Sequence, residues 1–188
     1  MKCAFVMFDG MTALDFVGFY DAVTRLKSMG FMDGLAWQTC AVTRRVADDR
    51  GLCLEASAVG QSLASYDLLF VPGGFGTRQL KCDASFLGWL RTADPVPLKV
   101  SVCTGALLLG AAGFLHGLRA TTHPGAVREL EPDCAEVVDD RVVDSGSVIT
   151  ARGVSSSIDL GLHVVERLAG ADVRDRIATQ MDYPYRWK

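Results

Sequence analysis

The stretch LKVSVCTGALLLG, residues 98–110, decides how the chain is read. Leu98 to Val102 is a short, mostly β-branched and apolar run, the pattern of a strand buried on both faces. Thr104 to Ala112 is helix-forming, so Cys103 stands where a strand turns into a helix. In an open parallel sheet that point lies beyond the carboxyl end of the strand, where ligands bind. Ser101 and Gly105 are small neighbours two positions away on either side, the spacing that a sharp nucleophile elbow needs. A helix N-terminus lowers a thiol's pKa, which predicts a Cys103 thiolate near neutral pH. The competing reading is a plain buried thiol. That plain reading is taken for Cys3, Cys40, Cys53, Cys82 and Cys134.

Outward from this elbow, apolar strands alternate with helical patterns. Residues 2–8, 37–42, 66–74 and 98–102 read as strands; residues 14–29, 84–93, 155–169 and 171–181 read as helices. Gly30 is placed to end the first helix, and serines are available to cap the helix from 155. Residues 44–57 carry a turn signal at Asp49-Arg50-Gly51 between apolar segments, the mark of a hairpin. Short β segments are expected at 120–122, 137–138, 142–143 and 148–149, with a short helix at 125–130. Strands without polar alternation imply a parallel sheet covered by helices on both faces. The expected fold is a doubly wound α/β sandwich, with residues 1–188 as a single domain and neither repeats nor linkers.

The chain has 188 residues, 49% hydrophobic and 22% charged, with a net charge of −3. No basic block stands out, which argues against a nucleic-acid partner. The apolar run from Cys3 to Phe8 is shorter than the roughly 7-residue minimum of a signal-peptide core. Val102 to Leu115 is interrupted by Thr104 and glycines, so no membrane span is expected and the expected location is cytoplasmic. Six cysteines without a C-x-x-C pair or an export signal point to free thiols, and three histidines outside any ligand spacing argue against a metal site. Gly105 and Gly110 have P-loop spacing, but Ala111-Ala112 replaces the required Lys and Ser or Thr. Gly73-Gly74-Phe75-Gly76 lacks the later glycine of a dinucleotide fingerprint. No cofactor is expected.

Four blocks in order, MFDGMTALDFVG, LLFVPGGFG, SVCTGALLLGAAGFLHGLRATTH and GVSSSIDLGLHVVERLAG, resemble the ThiJ/PfpI superfamily. Within it they are most similar to the isocyanide hydratase branch and to the amidotransferase-like domain of AraC-type regulators. The resemblance implies a flavodoxin-like three-layer sandwich, a cysteine nucleophile at Cys103 and an acid beside its sulfur at Asp15. It also implies a backbone N–H from Gly74, next to Gly73, which with the N–H of Thr104 forms an anion-stabilising site. A homodimer with its site near the subunit interface belongs to the same set of expectations. From position alone Asp15 reads equally as the N-cap of its helix.

The activity implied is conversion of an isocyanide to an N-substituted formamide through a covalent thioimidate, with a small molecule as the partner. His123, in TTHPG, is the rival partner for Cys103 and would make a Cys–His hydrolase or a glyoxalase-like enzyme. The peptidase-like branches put histidine directly after the cysteine, where this chain has Thr104, which leaves His123 at the rim. A third reading is a sensor that uses the same thiol. His116 and His163 read as structural or surface residues without chemical partners. Three departures from the hydratase pattern, Phe19, Pro124 and Arg152, are expected at the ends of the pocket.

Overall fold

The structure, a computed structural model, describes residues 1–184. In chain order it runs β1 (Lys2–Val6), α1 (Ala13–Ser28), β2 (Ala36–Ala41), β3 (Arg45–Ala47), β4 (Cys53–Glu55), β5 (Ala58–Val59) and β6 (Leu68–Val71). There follow α2 (Thr77–Leu80), α3 (Ala84–Arg91), β7 (Leu98–Val102), α4 (Gly105–Ala111), β8 (Arg119–Ala120) and α5 (Val127–Leu130). The rest is β9 (Glu136–Val137), β10 (Val142–Asp144), β11 (Val148–Ala151), α6 (Ser156–Ala169) and α7 (Ala171–Gln180).

Seven strands form one sheet in the order β10-β11-β7-β6-β1-β2-β5. Every pairing is parallel except β10 with β11. From β1 the chain steps outward through β2 to β5, then returns to β6 on the other side of β1 and steps outward again. The reversal puts a crevice at the carboxyl ends of β1, β6 and β7, the standard ligand position in such sheets. Crossovers that keep one hand while stepping in opposite directions place their helices on opposite faces. The α1, α6 and α7 helices pack together in one layer, and α2, α4 and α5 pack together in another. This is the flavodoxin-like sandwich.

The strands are buried because their side chains are apolar on both faces; β6 and β7 have no exposed residue at all. Phe5 of β1 lies edge-on to Phe16, Phe19 and Phe70, and Phe19 stacks on Phe70 with ring centres 4.0 Å apart. Even Lys99 is buried in β7, its ammonium donating to the Val96 carbonyl at 2.7 Å and lying over the Phe114 ring. Two glycines bring α1 and α6 into close contact. A Cβ on Gly18 would stand 2.2 Å from Ser157 Oγ, and one on Gly161 2.6 Å from the Ala22 Cβ. Ser157 Oγ also donates to the Leu14 carbonyl at 3.2 Å.

The sequence pattern predicts the main elements to within a few residues. It misses β5 and α2, a two-residue strand and a single helical turn that carry too little periodicity to read. The hairpin is present as β3 and β4, paired antiparallel around Asp48–Leu52. Ser155 occupies the N-cap of α6 but makes no side-chain capping bond. Asp15 is not a cap: Thr12 is the N-cap of α1, and Asp15 lies inside the first turn. Among the described residues no helix is long and apolar enough to cross a membrane.

Candidate active site

Cys103 follows β7 directly and has φ of +56°, in the left-handed region that L-residues avoid. Two bonds hold it there: its N–H donates to the Ala151 carbonyl at 2.9 Å, and its carbonyl accepts from Thr122 Oγ1 at 2.9 Å. Gly105 permits the turn, since a Cβ there would lie 2.4 Å from the Val71 carbonyl oxygen. An off-rule backbone that the surroundings hold in place is a mark of functional sites. Together these features make the elbow expected at the end of β7.

Asp15 projects from the first turn of α1 and is fully buried. Its Oδ2 accepts the Gly73 N–H at 2.9 Å, while its Oδ1 is buried with no hydrogen-bonding nitrogen or oxygen. Burial pushes the carboxyl up to about 7; the Gly73 N–H and the Cys103 thiol pull it down, and the Asp49 charge pushes it further up. Burial thus shifts the acid toward its protonated form in the neutral range. Gly73 makes this proximity possible. A Cβ on it would lie 2.6 Å from the Thr104 nitrogen, 2.7 Å from the Cys103 Cβ and 2.8 Å from Asp15 Oδ2.

Burial works against the expected thiolate. Burial, and then the charge of Asp15, push the Cys103 thiol up to about 12, against the pull of the Thr104 N–H and hydroxyl. Cys103 is only 4% exposed, and the desolvation of a buried anion outweighs the partial charge at the start of a seven-residue helix. The expected anion site is also altered. The Gly74 N–H, at a glycine with φ of +131°, donates to Thr104 Oγ1 at 2.9 Å rather than standing free. The Thr104 hydroxyl in turn donates to the Gly74 carbonyl at 3.1 Å, and the Thr104 N–H favours the Cys103 thiolate.

These groups open into a cavity of about 250 Å³ lined by Cys103, Thr104, Gly74 and His123, with Asp15 and Gly73 behind its wall. His123 Nδ1 accepts the Gly125 N–H at 3.1 Å. The neutral ring then carries its proton on Nε2, as a donor. Sequence reasoning misses Thr12, Asp49, Arg50, Phe75, Arg78 and Val154 in the same lining. The Asp49-Arg50 turn signal was legible as structure but carried no hint that the turn reaches this cavity.

Several expectations fall away from the site. Phe19 is in the aromatic core, and Arg152 pairs with Asp139; neither lines the cavity, and neither does Pro124. His163 has a partner after all, with Nε2 2.9 Å from Asp144 Oδ2, which Arg167 also engages. All six cysteines are free, but Cys53 and Cys82 are exposed and Cys134 is half-buried, so burial holds only for Cys3, Cys40 and Cys103.

Residues 1–167 match the DJ-1/PfpI family. The chain is 34% identical over 185 residues to the isonitrile hydratase of Pseudomonas putida, covering 97% of this chain and 78% of that protein. It is 32% identical over 117 residues to the DJ-1 homolog A of Arabidopsis thaliana, covering 61% of this chain and 30% of that one. Among solved structures it is similar to a ThiJ/PfpI family protein from Pseudomonas syringae, with a TM-score of 0.89 and 29% identity over 99% of this chain and 76% of that chain.

Proposed function

This chain belongs to the DJ-1/PfpI family, and from that premise we propose that it is a cysteine-dependent hydro-lyase that converts an isocyanide to an N-substituted formamide. The observation that carries the reading is the pair formed by a left-handed Cys103 and a fully buried Asp15, brought together at Gly73, with burial pushing the carboxyl's pKa up. The likeness to an isonitrile hydratase over nearly the whole chain supports it.

A resting thiol and a resting acid suit the first step. The sulfur electron pair forms the bond to the terminal isocyanide carbon. Asp15 gives its proton to that carbon and receives the proton the thiol loses, so the acid ends as it began. The product is a thioimidate, R–N=CH–S–Cys103. Water adds across its C=N bond, the C–S bond then breaks, the sulfur regains a proton from the new hydroxyl, and R–NH–CHO leaves. The Thr104 N–H, on a residue whose hydroxyl is locked to the Gly74 backbone, holds the sulfur as charge passes through it. Neither a metal nor a cofactor takes part.

His123 fits the rim better than it fits a base. To take the thiol proton through Nε2, it would have to give up its bond from Gly125. The reading also includes a cytoplasmic homodimer, for which Leu14 and Val17 on α1, 51% and 47% exposed, offer an apolar face beside the site. Turnover of aliphatic and aromatic isocyanides without added metal or nucleotide, followed by chromatography of the formamide, tests the proposal. Methylglyoxal turnover in place of isocyanide turnover would transfer the site to glyoxalase-like chemistry. No turnover of either would leave a sensor.

A further inference from the structure

Asp49 lines the cavity with a carboxylate that the proposed chemistry does not use. Its side chain is only 8% exposed. Its Oδ2 accepts from Thr12 Oγ1 at 3.1 Å, while its Oδ1 is buried without a hydrogen bond. Arg50 approaches Oδ1 at 3.5 Å, but its own side chain is 75% exposed. Arg78 on the same wall is engaged by Glu129 at 2.9 Å. The negative charge is thus poorly compensated.

From Asp49 a continuous chain of bonds leads to the catalytic pair. Thr12, held by Asp49 through its hydroxyl, is the N-cap residue of α1. The Thr12 N–H donates to the Gly73 carbonyl at 2.8 Å, and the Gly73 N–H donates to Asp15 Oδ2 at 2.9 Å. The Asp49 N–H in turn donates to the Met11 carbonyl at 2.9 Å, which ties the β3–β4 turn to the same loop. We propose that Asp49 is a positioning residue for the Cys103–Asp15 pair: through Thr12 it fixes the turn that carries Asp15, and it sets a second negative charge beside that acid.

Besides Asp49, Cys103 from the elbow acts on Asp15, while Arg50, Arg78 and His123, from the loop before α5, line the cavity in front of the pair. On α6, which packs along α1, Asp159 is paired with Arg141. Of these groups Asp49 is the one whose charge favours the protonated acid from outside the catalytic pair. The inference rests on Asp15 as the proton carrier of the proposed reaction.

The test separates charge from hydrogen bonding. Asp49→Asn keeps an acceptor for Thr12 and removes the charge; Thr12→Val keeps the charge and removes the bond, so its formamide rate should fall severalfold with the Asp15 midpoint nearly unmoved, and an unchanged rate overturns the route through Thr12. Carboxyl ¹³C shifts are followed against pH, with the Asp15 resonance identified by its loss in Asp15→Asn. In Asp49→Asn the Asp15 midpoint is expected to fall by about 0.5 in pH or more, the direction that follows from loss of a like charge. The upper pH limit of formamide formation should fall with it. Should Asp49→Asn not fold, Asp49→Ser, small and uncharged, asks the same question. An unmoved midpoint in a folded, uncharged variant overturns the proposal and leaves Asp49 a turn residue. If the parent protein turns over no isocyanide, the hydratase reading falls, while the midpoint still decides what Asp49 does.

Discussion

Cys3 near the start of β1 and Cys103 just past the end of β7 are both buried, and both thiols are pushed up to about 12. By burial and acidity they are twins. They differ in backbone and company. Cys3 lies in regular strand geometry, paired on both sides by β2 and β6. Cys103 has positive φ, faces a cavity and sits against a buried acid with a proton to give. A perturbed thiol is therefore not in itself the mark of a site here. Cys3 has the charge of exposed Asp67 near it; the mark is a buried acid at the same place, one that can complete the proton traffic the thiol begins.

The sharpest way to break this contrast is to remove each sulfur in turn. Cys103→Ala should reduce formamide formation to the uncatalysed background, whereas Cys3→Ala should keep its rate and show only a lower melting temperature, the usual result of trimming a packed core. Loss of activity in a folded Cys3 variant would erase the distinction. Next in size is the acid. Asp15→Asn should cost roughly 100-fold or more in rate with circular dichroism unchanged, the usual scale of general acid–base catalysis. His123→Asn should lower turnover only mildly. An inactive His123 variant beside an active Asp15 variant would replace the proposed mechanism with a Cys–His enzyme.

The same buried acid should cost stability. Its folded-state pKa, about 7, lies above the ordinary value of 3.8, so the native state binds more protons between those limits. Stability therefore falls as pH rises from about 4 to about 7, by an amount on the order of a few kcal/mol before relaxation is allowed for. Asp15→Asn is expected to melt higher than the parent at pH 8 and to lose that advantage at pH 4, as thermal denaturation would show. An advantage that does not depend on pH would mean that Asp15 is already ionised and solvated. The smallest effect concerns iodoacetamide. Exposed Cys53 and Cys82 should be alkylated before Cys103 at neutral pH, and the Cys103 rate should still be climbing above pH 9. Peptide mapping that finds Cys103 modified first would restore the resting thiolate.

The elbow was legible because it is local: strand, cysteine and helix follow one another within thirteen residues, and each has its own pattern. The reason for the sharp turn was legible too, since Gly105 is its own signal. Asp15 could be found only through its likeness to a family, because nothing in the spacing separates a buried first-turn acid from a cap. The opposing influence on the thiol was illegible for a physical reason. A helix N-terminus is visible in sequence, whereas desolvation depends on what packs from elsewhere, and desolvation wins. Asp49 and Arg78 were missed for the same cause, since they reach the cavity through tertiary placement of a hairpin turn and a single helical turn.

The close contact of α1 with α6 bears on the order in which the protein is made. Gly18 and Gly161 let these helices touch although 143 residues separate Leu14 from Ser157, which bond across the contact. During synthesis Asp15 leaves the ribosome before Cys103, and Cys103 before the helix that packs on α1. The wall that keeps α1 in place is translated only with Ser156–Ala169. A nascent chain that already holds both reacting groups thus lacks the packing that buries the acid. Its thiol and its proton donor come under common control only once α6 has been made.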